Sequence, residues 1–359
     1  GGATGLVGDP SGKSNERNLL DEATIKQNIR GVTNQLKKFL NFEGDNGAEV
    51  VNNQDWFKEF QFLDFIRDVG KHISINYMLA KDSVKNRLDI GMSFTEFCYQ
   101  LVQGYDFYWL WKNKNIKIQM GGSDQWGNIV TGTELIRRKG QGEAFAITTP
   151  LITKADGTKF GKSEGGNVWL DSKKTTPYKF YQYWINSSDE DVITYIKIFS
   201  LKSREEIETL IHQHKENEHL RLLQNSLADE MTERVHSKSD LEMAKKASQI
   251  LFGKSTKVDL STLEENLLLQ ILDGVPKVIV SRKVYESLPT VIELLTEGTK
   301  GLIFTSKGEA RRLIQGGGMS INKEKINSPD APVGFGLLNN KYILVQKGKK
   351  NYYLIVVED

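Results

Sequence analysis

The sequence of 359 residues predicts an α/β protein: a Rossmann-like parallel sheet first, then an all-helical part and a small α+β module. Three observations support this fold class. Strand-like and helix-like segments alternate up to about residue 172, helical periodicity dominates residues 173–275, and short strands return after Pro276. A chain of this length is expected to hold two to three domains. We therefore predict domains at 1–172, 173–275 and 276–359.

Capping and glycine signals place the elements of the first part. Asp21 is suited to cap a helix whose apolar residues follow helical spacing, namely Ile25, Ile29, Val32, Leu36 and Phe39. Ser93 and Glu96 have the spacing of a capping box that opens another helix. Residues 116–120 are predicted to form a short strand, and the segment 121–127 is predicted to turn from it into a helix. A strand, a glycine turn and a helix form the βα unit of an open parallel sheet, in which ligands bind at the carboxyl ends of the strands.

The second and third parts begin with clear signals as well. Thr176 and Pro177 form an N-cap followed by a proline at the first helical position. In the third part, Ser306 and Glu309 repeat the capping-box spacing and predict a helix. Strands are expected near Ile321, at 342–345 and at 352–357.

Composition narrows the class of protein. Cys98 is the only cysteine, which excludes an internal disulfide and favours a reducing, cytoplasmic location. No apolar run approaches the roughly 18 residues of a membrane span, so no membrane partner is expected. Residues 276–359 carry 13 Lys and Arg against 8 Asp and Glu, a balance of +5, whereas the remainder carries 35 against 38, or −3. The basic third part suggests a bound polyanion, and ordinary solvated surface charge is the alternative.

One predicted helix carries a polar stripe on an otherwise apolar surface. Tyr99, Gln103 and Asp106 are spaced at i, i+4 and i+7, so they share one helix face. This spacing predicts a small polar pocket in an apolar wall. A hydrogen-bonded structural network would produce the same pattern and remains open on spacing alone.

Two segments have the composition of phosphate-binding loops. Lys159 and Lys162 lie three apart around Gly161, after an Asp-Gly turn, and this arrangement suits a polyphosphate. The second segment, Gly8 to Arg17, is not a P-loop, because Val7 occupies the position where that motif needs glycine. Its glycines and two cations could nevertheless hold phosphate, and a plain surface turn is the alternative.

The turn after the predicted strand at 116–120 is a third candidate. Gly122 would allow close backbone approach to a ligand, and Asp124 could accept hydrogen bonds from a ribose. A generic tight βα turn fits equally well. No metal site is predicted, since the histidines at 212, 214 and 219 lie in a Glu- and Lys-rich helix without cysteine or clustered carboxylate partners.

In the third part, basic residues on the predicted helix precede a glycine-rich turn. These are Lys307, Arg311 and Arg312. A basic helix against a small sheet can bind structured RNA through phosphates and shape. A solvated helix face is the alternative.

Taken together, these motifs resemble a known family. Residues 159–163 (Lys-Phe-Gly-Lys-Ser) resemble the "KMSKS" signature of class I aminoacyl-tRNA synthetases. The combination of residues 8–13 (Gly-Asp-Pro-Ser-Gly-Lys), Tyr99 with Gln103 and Asp106, and residues 121–128 is similar to bacterial-type tyrosyl-tRNA synthetases. The resemblance covers essentially the whole chain, and residues 276–359 resemble the S4-like RNA-binding module of that family.

The resemblance implies an activity and a set of partners. It implies a cytoplasmic homodimer that acts as a tyrosine–tRNA ligase. ATP, with Mg²⁺, activates L-tyrosine to tyrosyl-adenylate and pyrophosphate, and the tyrosyl group then passes to the 3'-terminal ribose of tRNA(Tyr). No permanent cofactor is implied.

The resemblance also assigns residue roles. The implied ligands of the substrate ammonium are Asp9, Tyr99 and Gln103, and Asp106 would meet the phenolic hydroxyl. Gln125 would lie near the reacting carboxylate, and ATP would contact Gly122, Asp124 and Lys162. The implied catalytic groups that neutralise pyrophosphate are Lys13, Arg17, Lys159, Lys162 and Ser163. RNA would contact Lys307, Arg311 and Arg312.

The sequence also departs from the family pattern. A His-x-Gly-His element and an N-terminal tyrosine that shares the substrate hydroxyl are absent, and both would precede Gly1, so a first strand–helix–strand unit is expected there. Residues 87–91 are shorter than the glycine-rich linker of the family. Two alternatives follow: a tryptophanyl-tRNA synthetase, which Asp106 disfavours because an indole offers only a donor, and a non-catalytic RNA-binding protein on the same scaffold.

Overall fold

The computed structural model describes residues 1–11, 20–88, 91–163, 166–252, 260–261, 263–272, 275–348 and 351–359. The chain divides into two compact units, Gly1–Phe160 and Gly161–Asp359. None of the helices described is long and apolar enough to cross a membrane.

The first unit is mainly helical around a pair of parallel strands. Its helices are α1 (Gly2–Val7), α2 (Glu22–Leu36), α3 (Gln54–Phe57), α4 (Phe62–Asp68), α5 (Ile75–Leu79), α6 (Asp82–Leu88), α7 (Phe94–Lys114) and α8 (Trp126–Leu135). The strands are β1 (Ile118–Gly122) and β2 (Phe145–Thr149), which pair in parallel. The predicted parallel sheet is therefore confirmed.

The predicted helix starts in this unit are confirmed. The Asp21 side chain accepts a hydrogen bond from the Thr24 backbone at 2.7 Å, and Ser93 accepts one from the Glu96 backbone at 3.3 Å. The predicted apolar face of α2 is only partly buried, because Ile25 is enclosed whereas Val32 is 57% exposed. The predicted helix is thus confirmed as far as Leu36, whereas Phe39 lies beyond its end.

Strand β1 begins two residues later than predicted. Asn115 ends α7 in a left-handed conformation with φ 54°, and the Ile116 N–H then bonds back to the Leu110 carbonyl. These contacts complete the helix end, so the strand can begin only at Ile118. After β1, a short 3₁₀ turn (Ser123–Gln125) leads into α8, as the glycine turn predicted.

Helices α7 and α8 pack closely because two glycines face the contact. A Cβ on Gly104 would lie 3.1 Å from the Thr131 side chain, and one on Gly132 would lie 2.8 Å from Cβ of Phe107. The helix pair contributes to one hydrophobic core, in which Phe107 and Ile136 are fully buried. This packing fixes the position of α7, the helix that carries the polar stripe, against α8.

The second unit joins a helical part to a mixed sheet. A short hairpin, β3 (Lys162–Ser163) and β4 (Gly166–Asn167), comes first. The helices that follow are α9 (Pro177–Ile185), α10 (Asp189–Phe199), α11 (Arg204–Glu216), α12 (Leu222–Val235), α13 (Lys238–Phe252) and α14 (Glu265–Ile271). Thr176 caps α9 with Pro177 at its first position, as predicted.

The final module contains a five-stranded sheet with short helices. Its strands are β5 (Lys277–Ser281), β6 (Met319–Ile321), β7 (Glu324–Lys325), β8 (Tyr342–Lys347) and β9 (Asn351–Glu358), in the order β5-β9-β8-β6-β7. The helices are α15 (Arg282–Ser287), α16 (Val291–Glu293) and α17 (Lys307–Gln315). The predicted strands at β6, β8 and β9 and the Ser306 cap of α17 are confirmed, and β5 and β7 were missed.

Both faces of the neighbouring strands β8 and β9 are buried. On β8, Ile343 and Val345 point into a core with the module's own helices, whereas Tyr342 and Leu344 point into a second core. That second core is formed with α13, with α14 and with residues next to α14, the contributing residues being Ala247, Leu260, Leu263, Leu268 and Leu272. The helical part and the module therefore share a hydrophobic layer.

Candidate active site

The polar stripe of α7 lines a cavity of about 250 Å³ in the first unit. The residues around this cavity are Gly1, Thr4, Val51, Asn53, Trp56, Tyr99, Gln103, Asp106, Leu110 and Gln119. The structure thus brings together the three stripe residues that spacing placed on one face. The volume suits a single amino acid, since pockets for drug-sized ligands measure roughly 300–1,000 Å³.

Asp106 is oriented by two hydrogen bonds from outside its own helix. Its Oδ2 accepts a bond from Nδ2 of Asn53 at 2.7 Å, and its Oδ1 accepts one from Nε1 of Trp56 at 2.9 Å. Burial raises the pKa of Asp106 to about 6, although both hydrogen bonds act to lower it. The site therefore contains a fixed carboxylate whose charge is sensitive to mild acid.

The two donors are themselves held in place. Asn53 is 4% exposed, and its Oδ1 accepts the Ala3 backbone N–H at 2.8 Å. The Trp56 ring stacks on Trp109 of α7, with centroids 4.2 Å apart. Sequence reasoning missed both donors. The available signal was a pair of hydrogen-bonding side chains three residues apart at the start of α3.

A second polar cluster contains Asp9 and Gln125, which the resemblance linked to the substrate's backbone end. Nε2 of Gln125 donates to Oδ2 of Asp9 at 2.7 Å, and the Ser11 backbone donates to Oδ1 at 2.9 Å. Buried Asn128 reaches Oδ1 of Asp9 at 3.3 Å and Oγ of Ser11 at 3.1 Å. Asp9 is not among the described residues that line the cavity. Asn128 is a further member of this cluster, and it received no role from the sequence.

The carboxyl end of β1 has the tight geometry expected of a ligand-facing turn. A Cβ on Gly122 would lie 2.6 Å from Oδ1 of Asp124 and 2.9 Å from Cδ2 of Leu151, so a larger residue here would force these two side chains to move. Asp124 is exposed at this end of the parallel strand pair. A carboxylate in this position is available to ribose hydroxyls.

The first lysine of the signature follows a tight turn. Oδ1 of Asp156 accepts bonds from the Thr158 backbone at 2.8 Å and its hydroxyl at 2.6 Å, and Gly157 adopts φ 80°. Lys159 comes directly after this turn and is exposed. The prediction that Lys13 and Arg17 face phosphate falls on residues outside the described ranges, and for Lys162 and Ser163 only the backbone is described.

The basic residues of α17 are exposed, and two of them have acidic neighbours. Nζ of Lys307 lies 2.7 Å from Glu297, and Arg311 lies 3.6 Å from Asp330. Arg312 is also exposed. Lys347 differs from these three, because its Nζ bonds to the Ile303 carbonyl at 2.9 Å and to Glu309 at 2.8 Å. Its ammonium is therefore part of the module's own structure.

Groups of His, Cys, Asp and Glu that could hold a metal ion are not found within the described ranges. His214 is fully buried, with Nε2 3.2 Å from Asp189, and His212 lies beside Glu216 at the surface. The three histidines of this region thus give no metal-binding arrangement among the residues the structure covers.

Comparison with known proteins finds two family models that match successive stretches of the chain. Residues 1–253 match the family model for tRNA synthetases class I (W and Y), and residues 268–355 match the Tyrosine--tRNA ligase SYY-like C-terminal domain. The Tyrosine--tRNA ligase of Cytophaga hutchinsonii is 60% identical over 356 residues, covering 99% of this chain and 83% of that protein. The Tyrosine--tRNA ligase of Flavobacterium johnsoniae is 55% identical over 364 residues, covering 99% and 84%.

Two solved structures of tyrosyl-tRNA synthetases are also similar to this chain. A C-terminally truncated mitochondrial tyrosyl-tRNA synthetase from Aspergillus nidulans matches with a TM-score of 0.60 and 30% identity, covering 70% of this chain and 75% of that one. Its counterpart from Coccidioides posadasii matches with a TM-score of 0.56 and 32% identity, covering 68% and 72%.

Proposed function

Because the chain belongs to the class I tRNA synthetases of the tryptophan and tyrosine type, we propose that it is a tyrosine–tRNA ligase. It activates L-tyrosine with ATP and transfers the tyrosyl group to the 3'-terminal ribose of tRNA(Tyr). The observation that carries the choice of amino acid is Asp106, whose carboxylate lies in the amino-acid-sized cavity and is oriented by Asn53 and Trp56.

The cavity can select tyrosine through its hydroxyl. The ionised Asp106 carboxylate accepts the phenolic O–H while keeping its bonds to Asn53 and Trp56. Phenylalanine would leave the buried carboxylate without that donor, which costs more than the net value of one hydrogen bond. At the other end of the stripe, Tyr99 and Gln103 are suited to hold the ammonium, with Asp9 completing the set.

The first chemical step needs no general base, because a carboxylate is already a nucleophile. A carboxylate oxygen of tyrosine attacks the α-phosphorus of ATP, the bond to the bridging oxygen breaks, and pyrophosphate leaves with the electron pair. Gln125 would align the reacting carboxylate, and Gly122 with Asp124 would hold the ribose. Alignment of this kind lowers the barrier by removing the entropy of encounter.

Besides alignment, the first step needs neutralisation of the negative charge that develops on the departing phosphates. We assign its neutralisation to Lys159 and Lys162, with Lys13, Arg17 and the Ser163 hydroxyl adding to the grip. Preorganised cations and donors aimed at developing charge are usually the largest catalytic term. Mg²⁺ would enter with the phosphates of ATP.

The second step requires tRNA. Its terminal ribose hydroxyl attacks the tyrosyl carbonyl carbon and gives up its proton to the departing phosphate or to water, and AMP leaves as the bond between that carbon and the phosphate oxygen breaks. The exposed cations of α17, namely Lys307, Arg311 and Arg312, are suited to bind RNA phosphates. Salt bridges to Glu297 and Asp330 are surface pairs of small worth, so phosphate can compete for these cations.

The assembly we propose is a homodimer in the cytoplasm. Large apolar side chains are exposed on α4, α5 and the start of α7, namely Phe62, Leu63, Ile66, Ile75 and Phe94. Apolar exposure on this scale favours a protein contact, and a second copy of the chain is the partner that the family resemblance implies. The free thiol of Cys98, the only cysteine, fits a reducing compartment.

ATP–pyrophosphate exchange with each of the twenty amino acids tests the proposed activity. Tyrosine should give the highest exchange rate, and phenylalanine and tryptophan should give far lower ones. Equal rates with tryptophan would favour the related tryptophan enzyme. Exchange with no amino acid, together with RNA binding, would favour a non-catalytic RNA-binding protein.

A further inference from the structure

Gly161, which separates the two signature lysines in sequence, has both of its backbone polar groups bonded. Its N–H donates to Oη of Tyr183 at 3.1 Å, and its carbonyl accepts the Val168 N–H at 2.9 Å. Gly161 also adopts φ 79°, a conformation that favours glycine. A side chain therefore contacts the backbone of the signature at the residue immediately before Lys162.

The anchoring tyrosine is itself firmly held. Tyr183 lies in α9, whose first turn is capped by Thr176. Its ring meets the ring of Trp184 edge-on at 5.3 Å, and Trp184 is 3% exposed. Burial raises the pKa of Tyr183, so the hydroxyl stays protonated and uncharged at neutral pH. The acceptor for the Gly161 N–H is thus fixed in position and in protonation state.

The anchor acts on a short element. Gly161 leads directly into β3, in which Lys162 pairs with Asn167 and Ser163 pairs with Gly166. Two residue pairs restrain this hairpin only weakly, since even longer isolated two-stranded hairpins are marginally stable. The hydrogen bond that the Gly161 N–H donates to Tyr183 of α9 therefore restricts the backbone that carries Lys162.

We propose that Tyr183 is a positioning residue for tyrosine activation: its hydroxyl fixes Gly161 and so holds the Lys162 backbone ready to meet the leaving phosphates. The proposal rests on the ligase function proposed above and adds a residue that lies outside the signature. Its physical basis is preorganisation, since a backbone that is already restrained loses less entropy when the Lys162 side chain meets the charge that develops in the transition state.

The variant Tyr183→Phe removes only the hydroxyl and leaves the packing of α9 intact. We expect the maximal rate of tyrosine-dependent ATP–pyrophosphate exchange to fall about fivefold, which is the loss of one ordinary hydrogen bond. The KM for tyrosine should stay unchanged, because the amino-acid cavity is built from other elements. Hydrogen exchange at the Gly161 amide, followed by mass spectrometry, should become faster in the variant.

Tyr181→Phe is the matched control, because it removes a hydroxyl from the same helix. Tyr181 is 4% exposed, and its hydroxyl interacts with Asp229 rather than with the signature. This control should leave both the exchange rate and the protection of Gly161 unchanged. An equal loss of rate in both variants, or unaltered Gly161 protection in Tyr183→Phe, would overturn the proposal.

The rate of ATP–pyrophosphate exchange separates this proposal from the ligase function. If the wild-type protein showed no tyrosine-dependent exchange, the ligase function would fall, and the catalytic role of Tyr183 would fall with it. If tyrosine exchange is robust and the Tyr183→Phe rate equals that of the wild type, only the positioning role is refuted.

Discussion

At the scale of single residues, Asp106 shows how a carboxylate in a buried site can stay ionised at neutral pH. Burial raises its pKa to about 6, and the bonds from Asn53 and Trp56 limit that rise. The group is therefore ionised at neutral pH and becomes protonated in mild acid. A protonated carboxyl donates where the site needs an acceptor.

This titration predicts an acid limit for tyrosine use. As pH falls below about 6, the value of kcat/KM for tyrosine in pyrophosphate exchange should fall, because that ratio reports groups of the free enzyme. Phenylalanine carries no hydroxyl, so its weak exchange should lack this limb. In Asp106→Asn the limb should vanish along with most of the preference for tyrosine. A tyrosine profile that stays flat from pH 7 to pH 5 would contradict the role of Asp106.

Lys162 permits a second test at the scale of one side chain. Lys162→Ala should lower the adenylation rate by roughly 10²- to 10³-fold, the cost of losing one group that stabilises transition-state charge. Tyrosine affinity, measured by equilibrium dialysis, should be unchanged. Lys173→Ala is the control, since Lys173 is an exposed lysine of the same unit. If the Lys162 variant turned over normally, this lysine would have no part in the mechanism.

At the scale of elements, close packing against α8 positions α7, the helix that carries the polar stripe. Gly132→Ala would place a Cβ 2.8 Å from Cβ of fully buried Phe107, which adjoins Asp106 in sequence. We expect a loss of about 1–3 kcal/mol in the free energy of unfolding, as for other overpacked cores, with a higher KM for tyrosine. Urea unfolding and exchange kinetics measure the two effects.

Gly31→Ala is the control for this substitution. Gly31 lies inside α2, and an added Cβ there meets nothing within 4 Å. Alanine is the better helix former by about 1 kcal/mol, so this variant should be as stable as the wild type or more so. If Gly132→Ala were equally harmless, close packing of α7 on α8 would not control the site.

The elements also show what local sequence can and cannot predict. Asp21, Ser93 and Thr176 cap their helices as expected, because a cap is a contact between neighbours in sequence. The partners of Asp106 could not be predicted in this way, since Asn53 and Trp56 lie about 50 residues upstream. Spacing can place polar residues on one face, but only tertiary packing brings a distant donor to them.

Because local sequence does not predict tertiary contacts, it also left the exposure of α2 and the strand β5 of the final sheet unpredicted. Helical spacing in α2 correctly indicates the helix, yet burial depends on what packs against Val32 and Leu36, and both are exposed. Strand β5 was missed because its pairing with β9 joins residues 77 positions apart. Strand β8 begins with a continuous apolar run, residues 342–345, which is typical of a strand covered on both faces, but the run does not tell which elements cover it.

At the scale of the whole molecule, the shared hydrophobic layer changes what a truncation would do. The sheet face formed by Tyr342, Leu344 and Leu354 packs on α14 and its flanks, and the Tyr342 hydroxyl donates to Glu265 at 2.5 Å. The family model of the C-terminal domain begins at residue 268, inside α14, which agrees with counting this helix as part of the module. The predicted boundary at 275/276 separates α14 from the sheet that it covers.

Two truncations test this point. Removing residues 276–359 exposes Leu263, Leu268 and Leu272, each worth about 2 kcal/mol of burial, whereas removing 260–359 takes the layer away with the sheet. Both truncated proteins should keep tyrosine-dependent exchange and lose much of tRNA charging. The shorter deletion should aggregate and bind a hydrophobic dye more strongly than the longer one. Equal behaviour of the two proteins would mean that α14 stands independently of the module, and undiminished charging would remove the module from tRNA binding.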